Sequence, residues 1–173
     1  MNNKARVHIE KYISYIALIT ILFVLQTTPG FLAIFGIKPN FVVPAAVCIA
    51  MMEDEFIGGL YGAFAGVLCD LGGFTLFGFN AILIMAGCVA VGLLSIYLLR
   101  MSAINFVLLV AGVLLARGLL DYLLNFYMWG YEGVWRVLCY RILPGVIYSA
   151  AAAPLCYWLF TRMRGYFEAR IQS

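Results

Sequence analysis

The sequence predicts an all-α protein: six transmembrane helices in one compact polytopic bundle. Three observations carry this. Hydrophobic residues make up 65% of the 173 positions and charged ones only 11%, with a mean hydropathy of +1.02. Soluble domains keep about a quarter of their residues charged. The apolar residues fall into six runs, and the few basic residues collect at the chain ends and in the gaps between runs. The ends and gaps are too short for a soluble domain, so residues 1–173 read as a single integral membrane domain.

The first run, 12–28, ends at Pro29-Gly30. Basic residues precede it as in a signal peptide, but Gln26-Thr27-Thr28 is not a small-residue cleavage site, so the run reads as a retained span. The second, 41–52, lies between Lys38-Pro39 and Glu53-Asp54-Glu55. A helix of that length covers about 18 Å of a core about 30 Å thick, so it either extends through Pro39 or is short and sheltered by its neighbours. The third run is 56–70, the fourth 79–99, the fifth 103–126 and the sixth 142–160.

Two entries into helices carry turn chemistry. In Gly36 to Asn40, Pro39 pre-sets the backbone and Asn40 offers an acceptor to the first turn that follows. Between the third and fourth runs, Gly72, Gly73 and Gly78 mark a tight hairpin, with Asn80 available as a cap. The segment joining the fifth and sixth runs is aromatic: Tyr127, Trp129, Tyr131, Trp135 and Tyr140. Such residues sit at headgroup level. Trp129, Tyr131 and Trp135 are either membrane anchors or a partner contact.

Six spans place both ends on one side. Lys4, Arg6, Lys11, Arg100, Arg162, Arg164 and Arg170 then share that side, against Lys38, Arg136 and Arg141 opposite, so both termini are expected in the cytoplasm. The basic segment Thr161 to Arg170 is either a plain topological anchor or a surface for anionic lipid. No basic stripe or soluble module points to nucleic acid. The five cysteines, Cys48, Cys69, Cys88, Cys139 and Cys156, form no CxxC pair, and four of them lie within apolar runs as small hydrophobes. The lone histidine is His8, and no HExxH, GxxxxGK or serine–histidine pattern occurs, so neither an enzyme nor a metal or other cofactor is expected.

Asp70, Arg117 and Gln26 each lie about 14 residues, or about 21 Å, from the cytoplasmic start of their runs. Asp121 follows Arg117 by one helical turn on the same face. An unpaired charge at such depth costs a few kcal/mol on the mildest insertion scales. The expectation is therefore an Arg117 guanidinium held between the Asp70 and Asp121 carboxylates, in a buried layer with Gln26 and Asn80. Such a layer is a structural staple, a site for a ligand, proton or ion, or a contact for a partner's helix. An outward-opening cavity lined by these groups would mark a ligand site, whereas mutual saturation would mark a scaffold. In the third run Gly58, Gly62 and Gly66 recur every fourth residue and lead to Asp70, a ridge that lets another backbone approach closely.

The stretches Leu25 to Thr28, Gly36 to Val43 and Gly58 to Leu83 resemble the MreD family of rod shape-determining membrane proteins. The matching positions are Gln26, Pro39, Asn40 (where Asp is commoner in the family), Gly66, Asp70, Gly78 and Asn80. The resemblance covers 25–83 well and the remainder only in length and hydropathy. It implies a non-enzymatic scaffold of the bacterial inner membrane that binds MreC and is linked through it to RodA, PBP2 and MreB in side-wall peptidoglycan synthesis. It also implies a fold similar to the substrate-binding subunits of energy-coupling-factor transporters. The alternative function is a small-molecule binding or transport subunit.

Overall fold

The computed structural model describes residues 3–28, 38–72, 77–98, 102–124 and 138–172. Among them the chain is all-α: α1 Asn3–Thr27, α2 Val42–Met52, α3 Glu55–Leu71, α4 Phe79–Tyr97, α5 Ala103–Tyr122 and, after a π-helical turn at Leu138–Ile142, α6 Leu143–Gln172. Each of the six apolar runs thus contains one helix. Four of these, α1, α4, α5 and α6, are long and apolar enough to cross a membrane. The other two are shorter: α3 has 17 residues and α2 has 11, about 25 Å and about 17 Å of helix.

α1 begins before its apolar run and α6 continues past its own, because both carry polar turns that helical spacing supports. Arg6 pairs with Glu10 and Arg164 with Glu168, each one turn apart. Arg170 Nη1 comes within 3.9 Å of Glu10 Oε2, so the two chain ends lie side by side at one end of the bundle. That end is called the terminal end below, and the opposite one the cap end.

The core is organised around α2, all of whose residues are buried. Pro39 stops it from extending backwards, and the Glu53 backbone closes it by donating to the Ile49 carbonyl at 2.8 Å. Of the two expectations for this segment, the sheltered short helix is the one realised. Around it lie Tyr15 and Ile19 of α1, Ile84 of α4, Phe106 and Val110 of α5 and Phe160 of α6, all without solvent exposure. The long helices keep much of their apolar surface outside. Ile21, Ile82, Leu108 and Ile147 are each more than half exposed. In water such a surface is a liability, whereas hydrocarbon tolerates it.

The glycine ridge of α3 packs within the molecule. A Cβ on Gly58 would meet Ala50 Cα of α2 at 2.7 Å, and one on Gly62 would meet Cys88 Sγ of α4 at 2.9 Å. A Cβ on Gly66 would run into the backbone of Ala81 and lie 2.6 Å from the Asn80 carbonyl oxygen. Gly92 answers from α4, where a side chain would strike Glu55 Cα at 2.7 Å. The α3–α4 pair is therefore the closest-packed in the bundle.

These contacts rank the glycines. Gly66→Ala must push backbone from backbone and is expected to cost about 3 kcal/mol, whereas Gly59→Ala meets only the Val89 Cγ2 methyl and costs about 1 kcal/mol. Melting midpoints in detergent read the order, and equal midpoints contradict it.

Candidate functional site

Helix starts inside an apolar bundle have a specific need. The first backbone N–H groups of a helix have no partner within it, and in hydrocarbon each unsatisfied one costs several kcal/mol. At the cap end, two such starts are met by side chains from other helices.

The start of α2 is satisfied by three elements. Gln26 Oε1, from the last turn of α1, accepts from the Phe41 amide at 3.0 Å and the Val42 amide at 3.4 Å. Asn40 Oδ1 accepts from the Val43 amide at 3.0 Å, the local cap that its sequence position suggests. Pro44 has no N–H to satisfy. The Asn40 amide itself donates to Ser149 Oγ of α6 at 2.9 Å, and that hydroxyl donates to the Gly145 carbonyl at 2.8 Å. α1 and α6 are thereby fastened to the end of α2.

The start of α4 is met by Asp70. Oδ2 accepts from the Gly78 amide at 2.9 Å and the Ala81 amide at 3.2 Å, while Oδ1 accepts from the Asn80 amide at 3.2 Å and from Asn80 Nδ2 at 2.8 Å. Gly78 has φ +93°, a left-handed backbone that glycine adopts without strain and that turns the chain into the helix. Asp70 stands one turn beyond Gly66, so the close approach of α3 to Ala81 sets the carboxylate over these amides. A negative group there also complements the positive end of the α4 dipole.

This geometry corrects the expected fork. Arg117 does not pair with the Asp70 or the Asp121 carboxylate; its Nε donates to Asn80 Oδ1 at 2.6 Å, so Asn80 stands between Arg117 and Asp70. The reason is saturation: four N–H donors already surround the Asp70 oxygens. Asn80 is correspondingly a bridge rather than the helix cap, a role that Asp70 takes. Asp121 lies half-buried one turn further along α5. Trp129, Tyr131 and Trp135 lie outside the described residues.

Beside these caps a cavity of about 610 Å³ opens at the cap end, with Phe23, Gln26, Lys38, Asn40, Leu71 and Arg117 in its wall. From the expected polar layer only Gln26 and Arg117 reach it; Asp70, Asn80 and Asp121 are not among its described lining residues. No group of His, Cys, Asp and Glu with the makings of a metal site occurs among the described residues. Cys48, Cys69, Cys88 and Cys156 are buried thiols, and Cys139 is exposed.

A second polar cluster, at the terminal end, escaped the sequence reading. The Lys11 ammonium pairs with Glu53 Oε1, both side chains being at most 10% exposed, and the Tyr15 hydroxyl donates to the same oxygen at 3.1 Å. Lys11 Nζ also lies 5.8 Å and 5.7 Å from the ring centres of Tyr12 and Tyr15. The Tyr61 hydroxyl of α3 donates to the Tyr12 carbonyl at 2.9 Å. The available signal was the spacing of Lys11 and Tyr15, which puts both on one face of α1.

Fold and surface together define an all-α helical bundle of the polytopic membrane class. No family model, curated protein or solved structure matches the chain.

Three expectations follow from the clusters. Asp70→Ala removes the α4 cap and the acceptor of Asn80 Nδ2, and is expected to cost about 3 kcal/mol. Gln26→Leu costs about 2 kcal/mol, while Gln26→Glu, which keeps an acceptor oxygen, costs less. Detergent melting curves in which leucine and glutamate at position 26 behave alike rule out the cap. At the terminal end, Lys11→Met leaves a buried carboxylate unpaired and is expected to cost about 3 kcal/mol. Adding Glu53→Gln removes that charge, keeps the Tyr15 acceptor and restores at least half of the loss; a further fall in the double variant speaks against the pair.

Proposed function

We propose that this chain is a non-enzymatic membrane scaffold of the MreD type, which binds MreC and through it supports the RodA–PBP2 pair and MreB filaments during side-wall peptidoglycan synthesis. It sits in the bacterial inner membrane with six spans and with both termini in the cytoplasm. The supporting observation is where the signature residues fall. Gln26 and Asn40 meet the start of α2, Asp70, Gly78 and Asn80 build the start of α4, and Gly66 brings α3 against α4. The residues that carry the resemblance are thus the ones that set the helix arrangement. Spent on backbone amides, they leave the outward apolar faces as the means of engaging a partner helix by lateral contact.

The cavity beside Arg117 favours a second reading, a small-molecule binding or transport subunit, for which the likeness to energy-coupling-factor subunits is an analogy of fold alone.

Cysteine cross-linking tests the scaffold. In a background with Cys139→Ser, single cysteines replace Leu60 on the exposed face of α3 and, as a control facing away, Leu108 of α5. A cross-link to the MreC helix from position 60 and none from 108 is the expected result. If outward positions on all the helices fail to capture MreC while the protein remains folded, the scaffold reading is wrong.

A further inference from the structure

The cavity at the cap end is cationic by construction. Its described wall holds Lys38 and Arg117 and no carboxylate. Of the two nearby acids, Asp70 has both oxygens occupied by backbone amides and the Asn80 side chain, and Asp121, one turn along α5, is not part of the described wall. Asn80 grips Arg117 by Nε alone, and among the described residues the two terminal amino groups of the guanidinium have no hydrogen-bonded partner. Those groups form the half of the fork that receives two oxygens of one anion. Lys38, exposed at the rim, likewise makes no described ion pair.

Beside the polar Gln26, Thr27 and Asn40, the wall carries the apolar Phe23 and Leu71, and Leu71 is 65% exposed at the bundle surface. The cavity volume lies within the range of small-molecule sites, about 300–1,000 Å³. Arg117 is half-buried, and four of its five guanidinium N–H groups are unmatched among the described residues, donors that an anion in the cavity would meet.

We propose that this cavity binds a phosphate oxyanion. Arg117 takes it through the terminal amino groups while Asn80 holds the guanidinium plane, and Lys38 closes over it from the rim. The phosphate comes from the headgroup of an anionic lipid, whose chains then run along Phe23 and Leu71, or from a free phosphate. This inference deepens the ligand-binding reading and does not depend on the scaffold.

The full chain in detergent is the test material. Native mass spectrometry compares retention of phosphatidylglycerol with that of a diacylglycerol of the same chains. Thermal shifts compare inorganic phosphate with chloride at equal ionic strength. Wild type is expected to retain phosphatidylglycerol about tenfold better than diacylglycerol, and Lys38→Glu, which touches no core contact, to lose most of that preference. Arg117→Gln is expected to abolish it, and if that variant does not fold, Lys38→Glu decides alone. A phosphate-specific shift that Lys38→Glu removes, with no preference between the lipids, assigns the free ion as the ligand. Equal retention of both lipids with no phosphate shift overturns the proposal, as does any preference or shift that Lys38→Glu leaves intact. Neither arm contains MreC, so failure here and failure of the scaffold reading are separate results.

Discussion

A helix that starts inside an apolar bundle must find acceptors for its first amides from other parts of the chain, and this constraint organises the molecule. α2 is the extreme case. All of its residues are buried and it is too short to carry its ends to both membrane surfaces, so its first amides depend on side chains. Its first amides are matched by Gln26 and Asn40, and the one position without an amide is Pro44. Side chains that elsewhere would be surface polars here complete a backbone.

The same constraint explains why α1 holds α2 at both ends. Gln26 meets the start of α2, while Lys11 and Tyr15 meet Glu53 just past its last turn. From Lys11 to Gln26 is about 22 Å of helix, close to the reach of the segment it clasps. The two helices run antiparallel, and polar contacts at either end fix their register. Apolar packing between Tyr15, Ile19 and α2 has no such directionality. A slide by one residue along the pair would break both clusters together, so the register is set by a few directed bonds and the energy by the many undirected contacts between them.

Much of this was legible in the sequence. The apolar runs placed every helix, Pro39 and Glu53 bounded the short one, Asn40 read correctly as a local cap, and the four-residue glycine spacing marked α3 as a close-packing face. These succeed because they depend on neighbours within a turn or two. The shared depth of Gln26, Asp70 and Arg117 was legible too, but their pairing was not. Charge complementarity alone matches Arg117 with the nearest acids, whereas the fold had already committed Asp70 to the backbone of α4. That commitment rests on the close approach of Gly66 to Ala81, a contact between helices that no spacing rule encodes. Lys11 and Glu53 were missed for a different reason. Each stands beside an apolar run, where a charge ordinarily reaches solvent, yet here the two side chains turn towards each other and are at most 10% exposed, while Asp54 beside them is exposed.

Placing Asn80 between Arg117 and Asp70 has a chemical consequence that a direct ion pair lacks. A bidentate fork with Asp70 would consume two guanidinium donors and present a neutral pair to the surroundings. With Asn80 between them, the carboxylate charge is taken up by the α4 amides and dipole, and the guanidinium charge stays with Arg117. One amide side chain thereby separates the two charges, leaving the negative one inside the helix pair and the positive one on the cavity side. The arrangement fixes the arginine in one plane without neutralising it. A side chain held in this way lends rigidity to the bundle and keeps hydrogen-bonding capacity on the cavity side, so the polar layer fastens the helices without using up its own donors.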